Sequence, residues 1–342
     1  MSTPRILELL NTPDPRKDTA WLKRTLQFAI QLEFFTIPAY LTALWSIKNQ
    51  RDPVAISIRE IAVEEMLHMS LACNMLVSIG GKPRICDHDV VPQYPGPLPG
   101  GVKPWLRVSL EGLSHHSLKT FMEIEEPEKD VSRLEAAIET FPRIGALYDA
   151  VLAVFKRGNT QLSRTGQIEG YFGESRGEVS DIPKNIGTLE EVEAAITLIK
   201  DQGEGSSQAP FGDREGELAH YYRFKEVAVG KKIVAAANGE WIHSGDVVAF
   251  PECWPVAEVP AGGYRQSDVP AETWQLMTEF DAIYTQVLMN LEEAWTNGSQ
   301  AAFHGSLELM MDKLPTLARQ IMQVPIKQQP FNYSPCFRLV AK

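Results

Sequence analysis

Four stretches of the chain repeat apolar residues at steps of three and four, the spacing of one face of an α-helix. The first covers residues 18–49, with an apolar stripe of Leu22, Leu26, Ala29, Ile37, Tyr40 and Leu44. The others cover residues 53–79, 131–157 and 213–229. Each is long enough to bury its stripe against helices of the same kind, so the pattern predicts a four-helix bundle.

The segments between these helices are richer in loop-forming residues, over 81–130 and 158–212. Each holds one shorter predicted helix, near 114–125 and 188–202 respectively. The Pro- and Gly-rich part of the first, residues 84–104, has no helical period. Two interpretations of it remain open, a surface connection and a lid over a binding site.

The last third of the chain, residues 231–322, adds elements to the bundle. Residues 231–237 and 241–250 predict two strands, and Asn238-Gly239 between them favours a tight hairpin turn. Two further helices are predicted over 272–296 and 299–322, outside the bundle. Since no internal repeat divides the sequence, we expect one domain over 1–342 that is mostly α-helical with a small hairpin.

Composition excludes several classes of function. The 342 residues contain 33 Lys and Arg against 44 Asp and Glu, a net charge of −11 that disfavours nucleic-acid partners and anionic membranes. The four cysteines form no CxxC pair, which argues against a disulfide framework or a thiolate zinc site. The first residues lack the pattern of a signal peptide, and we expect no membrane-spanning stretch and a cytoplasmic protein.

Acidic residues interrupt the apolar stripes of the first two helices. Glu33 lies between Ala29 and Ile37 on the same line of the first helix. An ionised carboxylate there costs several kcal/mol unless it is paired or binds a metal. A rotated helix that leaves Glu33 in solvent is the alternative, and the residue alone does not decide between them.

The second helix carries a Glu-x-x-His pair in the middle of its stripe, Glu65 and His68. Three helical positions bring the two side chains to neighbouring places on one face, where both can reach one cation. Glu64 competes for the role because it precedes His68 by four residues. Its line on the helix is more polar, so we expect Glu64 to be solvated or to support the ligands.

A second Glu-x-x-His pair, Glu217 and His220, lies in the fourth predicted helix. A third, Glu240 and His243, falls in the predicted hairpin, where positions three apart point to opposite faces. We therefore do not expect the third pair to bind a metal.

One Glu and two Glu-x-x-His pairs on helices are typical of carboxylate-bridged metal sites inside four-helix bundles. Oxygen and nitrogen donors without thiolate suit iron best, with manganese and zinc as alternatives.

At these residues the chain resembles a known family. It is similar to the ferritin-like domains that include the N-terminal part of iminophenyl-pyruvate dimer synthases of bisindole (violacein-type) pigment pathways. The matching stretches are QLEFFTIPAYLTALWSI, IAVEEMLHMSLACNMLVSIGGKP, YPGPLPGG, FMEIEEPE, GELAHYYRFKEV and FDAIYTQVLMNLEEAW. The resemblance implies a ferritin-like four-helix bundle whose metal ligands are Glu33, Glu65, His68, Glu217 and His220.

The chain departs from the family at Ala146, where the third helix usually carries a ligating Glu. Glu139 and Asp149 are the candidates to replace it. Without a replacement, three carboxylates leave two divalent cations incompletely neutralised in a low-dielectric core. We therefore expect one tightly held metal and a weak or absent second one.

Two functions follow from the ligand set and the resemblance. The first is a non-haem iron or manganese oxidoreductase acting on a small organic molecule, in secondary metabolism. The second is an iron-binding or structural ferritin-like protein without an organic substrate. A homo-oligomer is compatible with either. The resemblance does not extend to dimerisation of indole imines, because those enzymes contain more protein than this domain.

Overall fold

The structure, a computed structural model, describes residues 5–127, 144–169, 185–203, 210 and 218–340. These residues are mainly helical, which confirms the predicted fold class. The helices are α1 (Ile6–Leu10), α2 (Thr19–Ser46), α3 (Pro53–Ser78), α4 (His115–Ile124), α5 (Ile144–Phe155), α6 (Leu189–Gly203), α7 (His220–Val229), α8 (Ala271–Asn297), α9 (Gln300–Glu308) and α10 (Leu314–Ile321). The strands are β1 (Gly96–Pro97), β2 (Arg107–Val108), β3 (Lys231–Ala235) and β4 (Trp241–Val247).

Helices α2 and α3 form the centre of the fold, and both begin at an aspartate. Asp18 accepts a hydrogen bond from the backbone N–H of Trp21, and Asp52 accepts one from that of Val54. These side chains satisfy backbone donors that the first helical turn leaves unpaired. The two helices end at Ser46 and Ser78, slightly before the predicted 49 and 79.

Helix α2 is buried around nearly its whole circumference. It is long and apolar enough to span a membrane, contrary to our expectation that no stretch would be, but its apolar window is entirely buried in the fold. Core helices of globular domains share this composition.

The third and fourth predicted helices are only partly described. α5 covers the second half of the predicted helix 131–157, and residues 128–143 lie outside the described residues. α7 begins at His220 and not at 213, because Ala219 has extended backbone angles of φ −59° and ψ 155°. The two shorter predicted helices are present as α4 and α6.

The predicted hairpin is present as the antiparallel pair β3–β4, with Ile233 opposite His243. Gly239 in its turn has a φ of 84°, which glycine adopts without strain. The strands are shorter than the predicted 231–237 and 241–250.

Segment 84–104 packs into the core through Val90, Tyr94 and Leu98, and its strand β1 pairs with β2, which follows the segment. It therefore behaves as an ordered structural connection.

Among the C-terminal helices, α10 packs against α2, α8 packs against α3 and contacts α2 through Phe280 and Trp45, and α9 packs against α8. The predicted helix 299–322 is divided into α9, a π-helical turn over Leu309–Lys313, and α10. Pro315 lies at the start of α10 and has no N–H to donate to the preceding turn, which favours the π-helical turn there; the backbone stays helical over 300–321. One hydrophobic cluster reaches from Ile6 to Phe337 and joins these helices to the bundle.

Candidate metal centre

The first group of candidate ligands joins α2 and α3. Nδ1 of His68 lies 3.8 Å from Oε2 of Glu33 and 3.7 Å from Oε1 of Glu65. One donor atom from each residue lies within 4.8 Å of the other two, a spacing that one metal ion can bridge. All three side chains are buried, because the helix positions that carry them face the interior.

The second group shares Glu65 with the first and adds residues from α7 and the end of α4. Nδ1 of His220 lies 2.9 Å from Oε1 of Glu65 and 3.7 Å from Oε2 of Glu125. These three donors also lie within 4.8 Å of one another. The rings of His68 and His220 are stacked with their centroids 5.7 Å apart, so the two groups are adjacent.

Hydroxyl groups hold the three carboxylates in place. Tyr148 on α5 donates to Glu33 at 2.6 Å, and Tyr40 on α2 donates to Glu125 at 2.5 Å. Thr36 donates to Glu65 at 2.7 Å. Each carboxylate is thus oriented by one hydroxyl and keeps lone pairs for a cation.

The outer nitrogens of the two histidines also have partners. Nε2 of His68 lies 2.9 Å from Oε1 of Gln202 on α6. Nε2 of His220 lies 2.8 Å from Oε2 of Glu64, which in turn accepts from Arg223 at 2.7 Å. An acceptor behind Nε2 places the ring proton there and leaves the lone pair on Nδ1, facing the carboxylates.

The pKa values reflect a buried acidic cluster. Burial and the charge of Glu65 raise the pKa of both Glu33 and Glu125. Burial also opposes ionisation of Glu65, but the hydrogen bond and charge of His220 outweigh it and lower the pKa of that carboxyl. Burial lowers the pKa of His68, so its ring is a neutral donor.

In contrast to the pKa of His68, the pKa of His220 is raised in the fold. Burial opposes the charged ring, but the surrounding carboxylates Glu125, Glu64 and Glu65 raise the pKa well above its ordinary value. In the absence of another cation, the cluster therefore takes a proton on His220.

Two features of the cluster favour a bound metal ion over the contacts that its side chains make with one another. Nδ1 of His220 is buried and has no hydrogen-bond partner of proper geometry, although it faces two carboxylates. Among the described residues, no Lys or Arg forms an ion pair with Glu33, Glu65 or Glu125. Buried carboxylates that have histidines but no Lys or Arg beside them are expected to bind a cation.

Comparison with known proteins identifies the fold family. A family model described as Ferritin-like matches residues 26–229, more than half of the chain. The chain belongs to the ferritin-like family. A structure titled as a ferritin-like protein from Caulobacter vibrioides aligns with a TM-score of 0.60 and 21% identity over 90% of this chain and 95% of that one. No curated protein matches the sequence.

This ferritin-like chain brings four of the five predicted ligands together: Glu33, Glu65, His68 and His220. The fifth, Glu217, lies outside the described residues. On the described side of the pair, α7 begins at His220, directly after the extended residue Ala219. The role of all five as metal ligands stays a prediction. His243 lies in β4 and belongs to neither group of candidate ligands.

In α5, the residues that face the candidate ligands differ from the predicted ligand position, 146. Gly145 and Tyr148 line the cavity beside the carboxylates, and Ala146 does not. Asp149 cannot replace the missing Glu, because it is exposed and pairs with Lys200 at 2.6 Å. The other candidate, Glu139, lies outside the described residues.

Glu125 supplies the carboxylate that the sequence argument missed. It follows the last residue of α4 and is 6% exposed. It lies within the stretch FMEIEEPE that carries the resemblance, and it continues the buried line of Leu118 and Phe121 at steps of three and four. That spacing, an acid extending an apolar stripe, is the same signal that singled out Glu33 and Glu65.

Proposed function

We propose that this ferritin-like protein binds two divalent metal ions, with Glu65 shared between them. One ion is held by Glu33, Glu65 and His68, and the other by Glu65, Glu125 and His220. The observation that carries the proposal is the pair of donor groups that meet at Glu65. Glu125 removes the shortage of carboxylates on which our expectation of a single tight ion rested. Glu217 stays a predicted further ligand.

Iron is the metal that we propose, with manganese or zinc as alternatives. The donors are carboxylate oxygens and imidazole nitrogens, and the described cysteines lie outside both groups. Bound iron would supply one-electron redox chemistry and a coordination position for dioxygen.

The chain's own residues prepare this chemistry. Tyr40, Tyr148 and Thr36 orient the carboxylates, so little rearrangement is needed when a cation binds. Burial of the cluster excludes bulk water and strengthens each charge interaction.

The activity that we propose is oxidation of a small organic molecule. A cavity of about 40 Å³ adjoins the cluster, and its apolar walls are formed by Leu32, Ile124, Ile144 and Ile199. The resemblance to the N-terminal part of iminophenyl-pyruvate dimer synthases favours a substrate of secondary metabolism.

The size of this cavity also favours a second candidate, iron handling without an organic substrate. A cavity of about 40 Å³ is well below the roughly 150 Å³ that accommodates benzene in an engineered protein core. In this state the cavity admits dioxygen and a few waters, which are the only small molecules that iron handling needs.

An oxygen pulse after anaerobic loading with ferrous iron separates the two candidates. Rapid oxygen consumption without any added organic compound supports iron handling. Consumption that requires one member of a panel of small aromatic acids and amines supports the oxidoreductase. Retention of less than one iron per chain after desalting contradicts metal binding and both functions with it.

A further inference from the structure

The two histidines of the metal centre are held from behind by acceptors of different charge. Gln202 offers His68 a neutral amide oxygen at 2.9 Å, whereas Glu64 offers His220 a carboxylate oxygen at 2.8 Å. In both cases the opposite nitrogen, Nδ1, faces the candidate ligands. The donor atom is thus Nδ1 in both histidines, and the charge of the acceptor at Nε2 differs.

Contacts from α7 and α3 keep Glu64 in its role. Arg223, one turn after His220, donates to Oε2 of Glu64 at 2.7 Å and to the backbone oxygen of Ser57 at 2.9 Å. This arrangement holds Glu64 charged and aimed at His220. Among the described residues, Glu64 and Gln202 are the side chains that contact the Nε2 atoms.

A charged acceptor changes what a ligating imidazole can do. Hydrogen bonds to a carboxylate are about twice as strong as those to a neutral group. They increase electron donation from the other ring nitrogen to a metal, and removing such a partner typically costs 10–100-fold in metal affinity.

The distances from Nδ1 of each histidine to the shared ligand Glu65 also favour the position at His220. Nδ1 of His220 lies 2.9 Å from Oε1 of Glu65, whereas Nδ1 of His68 lies 3.7 Å from the same atom. The donors around His220 therefore already converge more closely than those around His68.

From these observations we propose that the two metal positions are unequal. The position formed by Glu65, Glu125 and His220 binds the first and tighter cation, and Glu64 is its positioning residue. The position at His68 binds the second cation more weakly because Gln202 is neutral. The inference rests on the proposed two-ion function and adds the order of filling.

The first test weakens the tighter position. Titration of the metal-free protein with Co²⁺, followed by calorimetry and by visible absorption, should resolve two binding steps. Glu64→Gln keeps the shape of the side chain and should weaken the tighter step by about 10–100-fold. Glu60→Gln is the matched control, since Glu60 also contacts Arg223, at 3.0 Å, but does not contact His220.

The second test strengthens the weaker position. Gln202→Glu places a carboxylate behind His68 and should tighten the second step, bringing the two affinities closer together. A gain of affinity cannot result from simple loss of structure. Thr197→Glu, which adds the same charge at an exposed position of α6, should leave both steps nearly unchanged.

The outcomes distinguish this inference from the function on which it rests. Equal effects of Glu64→Gln and Glu60→Gln, or a loss confined to the weaker step, would overturn the inequality while leaving the two-ion function intact. A single Co²⁺ per chain would contradict the two-ion function. The inequality then predicts that His220→Ala abolishes binding and that His68→Ala retains it, and the reverse result would overturn it.

Discussion

At the scale of single residues, Glu125 offers the most direct test of the two donor groups. It belongs to the group around His220 and not to the group around His68. We expect Glu125→Ala to reduce bound metal from two ions per chain toward one, because one position loses a carboxylate. Metal analysis after desalting measures this change. Glu126→Ala, an adjacent exposed carboxylate, is the control, and equal metal content in the two variants would contradict the assignment.

The predicted ligands make a complementary residue-scale test. Glu65 is shared by both donor groups, so we expect Glu65→Ala to lower the retained metal more than any other single substitution. Elemental analysis of the desalted protein should find less than one ion per chain. Glu240→Ala and His243→Ala, the hairpin pair, should retain the full content, and a loss there as large as in Glu65→Ala would reject the site.

Removal of the metal should reveal a pH dependence of the unfolding free energy that comes from candidate ligands with raised pKa values. The pKa values of Glu33, Glu125 and His220 are raised in the fold, so these groups retain protons that the unfolded chain releases. Stability of the metal-free protein must then fall as pH rises. Up to about pH 7.5 the lowered pKa of His68 adds an opposing slope, because an unfolded histidine still binds part of a proton there; above about pH 7.5 the unfolded histidines are mostly neutral and this slope vanishes.

The measurement is the unfolding free energy in chelator from about pH 7.5 to 9, where each retained proton contributes at most about 1.4 kcal/mol per pH unit. Protein loaded with Mn²⁺ should show a flatter profile, because the cation takes the place of the protons. A metal-free profile that is flat or rises with pH would contradict the prediction.

The juxtaposition of candidate ligands could be predicted where an acid interrupts the stripe of a long helix, although their role as metal ligands stays a prediction. Glu33, Glu65 and His68 could be selected because α2 and α3 are long and regular, so their faces can be read from spacing alone. Glu125 was not predicted because it follows the end of a ten-residue helix, where the periodic segment is short and the direction of the chain changes. Its proximity to His220 depends on how α4 packs on α7, which no local pattern reports.

At the scale of elements, Arg223 fixes α7 to α3 in addition to the contacts that His220 makes with Glu64 and Glu65. The guanidinium is mostly buried and contacts Ser57, Glu60 and Glu64 along one face of α3. We expect Arg223→Gln to lower the unfolding free energy by about 1–3 kcal/mol, because it leaves hydrogen-bonded charges without their partner. Urea denaturation measures the change. Lys225→Gln, which removes a cation from the same helix but only a contact with the Tyr221 ring, should cost less.

Some boundaries of helices and turns could be predicted from local sequence signals, and others could not. The predicted starts at 18 and 53 lie within one residue of the observed starts of α2 and α3, and Asn238-Gly239 lies in the turn of the observed hairpin. The predicted start of the fourth helix at 213 lies seven residues before the observed start of α7, which follows the extended residue Ala219. The predicted helix 299–322 is present as uninterrupted helical structure over 300–321, but its apolar period did not reveal the π-helical turn over Leu309–Lys313.

At the scale of the whole molecule, the C-terminal segment closes the hydrophobic cluster. Phe337 stacks on Trp45 of α2 with ring centroids 5.9 Å apart and also contacts Phe280 of α8. The cluster thereby includes residues far apart in the sequence. The bundle could be predicted from periodicity, but this closure could not, because residues 323–340 have no period of their own. A single domain over 1–342 stays a prediction, and cooperative unfolding is its natural test.

One ion pair anchors that segment and permits the test. Nε of Arg338 donates to Oδ2 of Asp281 at 2.6 Å, and the backbone N–H of Arg338 donates to Oδ1 at 3.0 Å. The Asp281 side chain is 2% exposed, and burial raises its pKa even though Arg338 opposes the shift. Removing the guanidinium leaves a buried carboxylate whose main counter-charge is gone.

We therefore expect Arg338→Ala to lower the unfolding free energy by about 3–5 kcal/mol near neutral pH. The variant should lose less stability at about pH 5, because Asp281 can then take up a proton in the fold and avoid the buried charge. Arg265→Ala, which breaks an exposed pair with Asp268, should cost at most about 1 kcal/mol at either pH. If the chain is one cooperative unit, the whole transition of Arg338→Ala shifts in thermal unfolding. A split into two transitions, with the helical bundle unaffected, would show instead that the C-terminal part unfolds separately.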